Sequence, residues 1–177
     1  VHSFNQYTFE PISVILAKNL LNYQFSKGYQ QVNSMEDLTS YNSGDKTIPY
    51  FVAGACLGTD LVGIQYEQLL PYALPAEKPE EAFRVISGDF VTTEDGTGIV
   101  HTAPAFGADD YKVGQKYNLG ILTLVDREGK FVEGVGAFSG RFVKNHKDEK
   151  EYQDVNVDIS VKLKKENRAF KVEKYEH

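Results

Sequence analysis

The 177-residue sequence has no tryptophan, one methionine (Met35) and one cysteine (Cys56). A lone cysteine cannot form an intrachain disulfide, so packing and hydrogen bonds must hold the fold, and a reducing compartment is the natural setting. The histidines (His2, His101, His146 and His177) are scattered, and none stands with Cys56 at zinc-ligand spacing. A metal cofactor is therefore not expected. No apolar run reaches the ~18 residues that span a bilayer, which argues against a membrane partner. A basic leader followed by an apolar stretch, the mark of secretion, is missing as well. The sequence opens at Val1 rather than at a methionine, and is read as an excised piece of a longer protein.

Positive charge is also short. Nineteen basic against 25 acidic side chains give a formal net charge of −6. The deficit lies in residues 1–143, whereas residues 144–177 are nearly balanced. Such a chain does not grip polyphosphate by bulk electrostatics alone, although a nucleic-acid end delivered by another domain remains compatible with it. The apolar fraction of 41% is ordinary for a globular domain and excludes general disorder.

The chain reads as many short strands with few helices. Pro11 opens an apolar pattern that predicts a helix over 11–22. Residues 33–47 are polar and predict a loop, with or without a short helix in it. Two apolar stretches between Tyr50 and Glu67, parted by Gly58-Thr59-Asp60, predict strands. Three prolines in 71–82 predict a second loop. Strand character returns at 83–93 and at 97–104. A helix is expected from Ala108, a hairpin over 121–134 with Arg127-Glu128-Gly129 at its tip, and a charged loop or helix start over 144–152. A last helix near 154–168 and a final strand over 170–175 close the chain. Together these predict a mainly β, α+β fold, a closed or partly closed β-barrel with peripheral helices, forming one domain over 1–177.

Chemistry concentrates between Gly96 and Tyr111. Gly96 and Gly98 flank Thr97, which allows close backbone approach and leaves amide groups free to donate. In the strand expected next, Ile99, His101 and Ala103 share one side and Val100 and Thr102 the other. Pro104 ends it, Phe106-Gly107 turns the chain, and Asp109-Asp110 stand where a helix begins. A carboxylate there either caps the helix or, turned toward a cavity, attracts a cation. A plain hairpin turn, a hydrogen-bonded structural histidine and two helix caps are the bland counterparts of these readings. No P-loop, dinucleotide fingerprint or Ser–His–Asp order is present.

This stretch resembles the editing domain, or connective peptide 1, of the class I aminoacyl-tRNA synthetases. The shared pattern is Gly96-Thr97-Gly98, Val100, Pro104, then Asp110 and Tyr111. His101, Thr102 and the run AFGADDY (105–111) are similar to the isoleucyl branch rather than the valyl or leucyl ones. The flanks FNQYTFEPISVILAKNLL and VKLKKENRAFKVEKYEH share the likeness, so it covers nearly the whole chain.

The resemblance implies hydrolysis of valine wrongly esterified to the 3′-terminal adenosine of isoleucine tRNA. A synthetic pocket shaped for isoleucine discriminates weakly against a side chain one methylene smaller, by about 1–3 kcal/mol, and the isoleucyl enzymes are themselves the standard illustration of that general figure. By the same resemblance, Asp110 would pair with the substrate α-ammonium, and His101 would shape the side-chain pocket and reject the cognate group. Gly96, Thr97, Gly98, Val100, Thr102, Ala103, Phe106 and Asp109 would line the adenosine and aminoacyl pockets. Catalysis would rest on positioning a water, with no covalent intermediate and no cofactor of the domain's own. The expected partners are the 3′ end of tRNA(Ile) carrying valine and the rest of a cytoplasmic, monomeric synthetase. That parent would use ATP and magnesium to ligate isoleucine. The HIGH and KMSKS signatures of that step are absent here, as is the family's Thr-rich strand, which lies upstream in the family. A non-catalytic module for the tRNA 3′ end, a structural insertion, and an editing domain of valyl or leucyl type are the competing readings.

Overall fold

The computed structural model describes residues 1–145 and 150–174. It resolves into two compact units. The first comprises Val1–Cys56, Phe90–Val100 and Ser160–His177; the second comprises Leu57–Asp89 and His101–Ile159.

The first unit is built on a four-stranded mixed sheet. Its strands are β1 (His2–Phe4), β2 (Pro11–Ser13), β3 (Tyr29–Gln31) and β4 (Ile48–Phe51), in the order β2-β1-β4-β3. β1 pairs antiparallel with both β2 and β4, and β3 runs parallel to β4. Pro11, expected to open a helix, instead opens β2. A proline has no N–H to give to a ladder and is accommodated on an edge strand, which is where β2 lies. Helix appears only later, as a 3-10 turn at Lys18–Leu20 running into α1 (Leu21–Gln24).

Asn5 organises the turn after β1. Its fully buried side chain accepts a hydrogen bond from the Tyr7 amide at 2.8 Å and donates to the Ala169 carbonyl at 2.9 Å. Below the sheet, Phe25 packs against Tyr50 with ring centres 4.6 Å apart, and against Tyr29 and Phe170 at 5.0 and 5.1 Å. Leu20, Phe4 and Ile48 complete this core. Each ring pair contributes roughly 0.5–1.5 kcal/mol beyond the burial of its area. The Tyr29 hydroxyl is buried without a partner among the described residues, and burial, with Tyr7 and Tyr41 nearby, pushes its pKa up to about 12.

The second unit is mostly irregular. It holds 3-10 turns at Gly58–Leu61, Pro79–Glu81 and Gly136–Phe138, the helix α2 (Ala108–Lys116), and the opening turns of α3 (Val155–Lys165). Its core joins Val135, Phe138 and Val155, with Tyr72, Leu124, Phe131, Val132 and Ile159 packed around them. Burying each of the three central side chains stabilises the unit by roughly 1.5–3 kcal/mol.

Arg141 ties this core's rim to α3. Its guanidinium donates to the Asp158 carboxylate at 2.6 Å, and Gln153 donates to the same oxygen at 2.9 Å. The Arg141 bond above all, with Gln153 adding to it, holds the Asp158 carboxyl below the usual carboxylate range. A carboxyl lowered in the folded state stabilises fully above its ordinary value, near 3.9, and loses that contribution as the pH falls through the lowered one. Arg141→Gln is therefore expected to lower the thermal midpoint at pH 7, with the deficit shrinking as the pH falls below the ordinary carboxylate range. Thermal melts of both proteins from pH 7 to pH 2.5 check this; a deficit undiminished in acid would assign the effect to packing.

The barrel expected from the sequence is not formed. The α+β class stands, but the sheet is open, with β2 and β3 as its edges. Closure needs a continuous ring of paired strands. Most of the remaining segments expected as strands contribute only isolated bridges, Gln65 to Arg84, Val125 to Phe131 and Lys130 to Phe142, or no pairing at all. The hairpin over 121–134 survives as the second of these bridges, with Gly129 at φ 81° in its turn. The helices expected near 108 and 154 are present. Residues 170–174 are not a strand, and part of the charged segment 144–152 lies outside the described residues.

Candidate functional site

The residues singled out in the sequence fall into both units. Gly96, Thr97, Gly98 and Val100 belong to the first; His101, Thr102, Ala103, Phe106, Asp109 and Asp110 belong to the second.

In the first unit the Gly-Thr-Gly stretch is a tight turn. Gly96 and Gly98 adopt φ of 63° and 74°, conformations that side-chain-bearing residues rarely hold, so glycine is required at both. Two carbonyls of the turn point into the unit. The Gly96 oxygen accepts from Gln24 Nε2 at 2.5 Å, and the Thr97 oxygen accepts from the Ala17 amide at 2.8 Å. The Thr97 hydroxyl bonds both backbone groups of Ile99, donating to its carbonyl at 3.0 Å and accepting from its N–H at 3.3 Å. Gly98 lies so close to Ala17 that a Cβ built there would stand 2.5 Å from the alanine methyl. The following residues are not in a strand, and Ile99 and Val100 are exposed.

In the second unit α2 organises the remainder. Gly107 stands at its N-cap, Asp109 and Asp110 in its first turn and Lys116 in its last, charges that complement the helix dipole at both ends. Neither aspartate caps the helix N-terminus. Asp109 pairs with Lys112 at 3.0 Å on the surface. Asp110, half-buried, reaches back and accepts a hydrogen bond from the Ala103 amide at 3.0 Å. The Ala103 carbonyl accepts from Phe106 at 2.9 Å, so residues 103–106 form a clasp closed by the Asp110 side chain. Among the described residues Asp110 makes no ion pair, so its charge stays available to a cation. His101 and Phe106 are exposed, and Thr102 and Ala103 are half-buried. No hydrogen bond joins His101 to Asp110 among the described residues.

On another side of α2 lies a hollow of ≈ 290 Å³, lined by Lys78, Tyr111, Gln115 and Asn118 over Pro104 and Leu119. Asp110 does not line it. Asn118, at φ 56°, ends the helix in a Schellman arrangement: its own amide bonds Gln115 and the Leu119 amide bonds Gly114, at 3.2 and 2.8 Å. Lys78 Nζ donates to the Asn118 side chain. No group of three or more His, Cys, Asp or Glu side chains able to hold a metal ion occurs among the described residues, and no described helix is long and apolar enough to cross a membrane.

Sequence reasoning did not single out Gln24, Ala17, Lys78 or Asn118. Asn118 carried a legible signal, an asparagine followed by Gly120 just past a helix. Gln24 carried none, because a glutamine among apolar residues reads as the polar face of a helix.

No family model matches the chain. Curated proteins do. The isoleucine–tRNA ligase of Cytophaga hutchinsonii is 48% identical over 200 aligned residues, which take in 100% of this chain and 17% of the relative. That of Bacteroides fragilis is 42% identical over 206, again with 100% of this chain and 17% of the relative. The isoleucine–tRNA ligase of Picrophilus torridus is 49% identical over 120 residues, covering 68% of this chain and 10% of the relative. The chain thus spans about one-sixth of the length of the first two. Matched along its whole length at this identity, it belongs to the isoleucine–tRNA ligase family.

Proposed function

We propose that this segment hydrolyses valine wrongly attached to isoleucine tRNA, within a ligase that joins isoleucine to that tRNA using ATP. The observation that carries the reading is Asp110: a carboxylate fixed by the Ala103 amide and free of any internal cation among the described residues, in a chain matched throughout to isoleucine–tRNA ligases. An ionised carboxylate so held is suited to a free α-ammonium, and a substrate gripped by that group presents its ester carbonyl in a fixed place. Water then adds to the carbonyl carbon. The ester C–O bond breaks, the 3′ oxygen leaves with a proton, and free valine and uncharged tRNA are released. His101 borders the aminoacyl side chain and excludes the larger cognate group.

The test is the loss of labelled amino acid from Val-tRNA(Ile) and from Ile-tRNA(Ile), incubated with a full-length isoleucine–tRNA ligase carrying this segment. Valine is expected to be released at least about 100-fold faster than isoleucine, more than a single methylene supplies in one binding step on average. Equal rates for the two esters would remove the proposal.

A further inference from the structure

We infer that Gln24 is a positioning residue, which holds the Gly96-Thr97-Gly98 turn so that its amides stay free to donate to ligand oxygens; its effect on deacylation rests on the editing function proposed above. Gln24 is buried at the end of α1, an unusual place for a primary amide unless a specific partner holds it. Its partner is the Gly96 carbonyl, 72 residues along the chain. The neighbouring Thr97 carbonyl is taken by the Ala17 amide, and Gly98 rests against the Ala17 methyl. One short segment, residues 17–24, therefore holds the turn at three successive residues.

The consequence lies on the opposite side of each peptide group. With the Gly96 and Thr97 carbonyls drawn inward, the peptide planes are fixed, and the N–H groups of Thr97 and Gly98 are directed away from those carbonyls. Among the described residues the amides of Gly96, Thr97 and Gly98 find no acceptor. A glycine-flanked turn with pinned carbonyls and unused amides is a preorganised row of donors, suited to ligand oxygens. Without Gln24, the Gly96 carbonyl loses its partner, the Gly96–Thr97 peptide is free to rotate beside a glycine at φ 63°, and the donor row is lost. Gln24 does this without touching the substrate.

The experiment replaces Gln24 by methionine, which keeps length and volume, buries no charge and removes the donor. In the full 177-residue chain, hydrogen exchange at the residue 17 amide, which bonds the Thr97 carbonyl, is expected to quicken about tenfold. The Val32 amide, bonded to the Tyr50 carbonyl in the same unit, keeps its wild-type rate. In the full-length ligase, kcat for Val-tRNA(Ile) deacylation is expected to fall about tenfold with KM changed less than twofold. Unchanged exchange at residue 17 would overturn the inference, and so would faster exchange with unaltered kcat in a ligase that deacylates. Should Gln24→Met not fold, Ala17→Val takes its place: it pushes bulk toward Gly98 and is read by the same two measurements with the same outcomes. If the unsubstituted ligase does not deacylate Val-tRNA(Ile), the proposed function itself fails, and the exchange measurement alone decides whether Gln24 sets the turn.

Discussion

Asp110→Asn, in a full-length ligase carrying this segment, is expected to lower kcat/KM for Val-tRNA(Ile) deacylation about 100-fold. The choice of asparagine matters. Asp110 has two jobs in this structure, accepting the Ala103 amide through one oxygen and presenting a negative charge. Asparagine keeps an acceptor oxygen for Ala103 and removes the charge. A charge-assisted hydrogen bond is worth about 1.5–3 kcal/mol, and losing it also loosens the ester's placement, which is felt again in the rate. Asp110→Ala removes both jobs and is expected to be at least as slow, with an added loss of stability of about 1 kcal/mol from the unsatisfied Ala103 amide. If Asp110 only closed the 103–106 clasp, the asparagine variant would deacylate at the wild-type rate and the alanine variant would not. That ordering, measured on one batch of mischarged tRNA, would end the proposed role of the carboxylate.

Gly120→Ala is expected to destabilise the second unit by about 3 kcal/mol, the upper end of the usual cost of overpacking. A Cβ at this position would lie 2.0 Å from the Glu77 carbonyl oxygen and 2.9 Å from Pro75 Cβ. The first of these is main chain, so no rotamer change relieves the clash, and the 75–78 loop has to move. Lys78 follows directly, held at φ 50° and bonded to the Asn118 side chain, so the displacement reaches the hollow beside α2. Gly58→Ala is the matched control. It meets nothing within 4 Å and has no positive φ, and should stay within about 0.5 kcal/mol of the wild type. Denaturant midpoints for the two variants check the contrast, and equal midpoints would mean that the 75–78 loop does not approach Gly120 closely.

The parts of the fold that could be read from sequence were those with local causes. α2 begins at a glycine followed by two aspartates and ends in lysine and asparagine, signals confined to a dozen residues. The polar loop over 33–47 was equally plain. The sheet was not. Ile12 and Ser13 look like part of a helical pattern after Pro11, and only their pairing with β1 makes them a strand. The stretch from Leu57 to Tyr66 looked like strands because its apolar residues recur. Yet Leu57, Val62, Ile64 and Tyr66 are all exposed, and apolar spacing predicts a strand only when one face is buried. The candidate site divides along the same line. The Gly-Thr-Gly turn and Asp110 were visible as residue types in order, whereas the bonds that hold them, from Gln24 and to Ala103, depend on contacts no spacing rule encodes.

The ties between the two ends of the chain bear on how it is made. Asn5 and Gln6 donate to the carbonyls of Ala169 and Phe170, Thr8 donates to Asn167, and the Val172 amide donates to Tyr7. Each bond closes a span of about 160 residues, whose entropic cost must be met before the contact gives anything back. During synthesis β1 finds its sheet partners within 51 residues, whereas the side chains of residues 5–8 wait for residues 167–172 to emerge. Within this stretch the turn after β1 is therefore completed late, and agents that shield nascent chains have that interval in which to act on it.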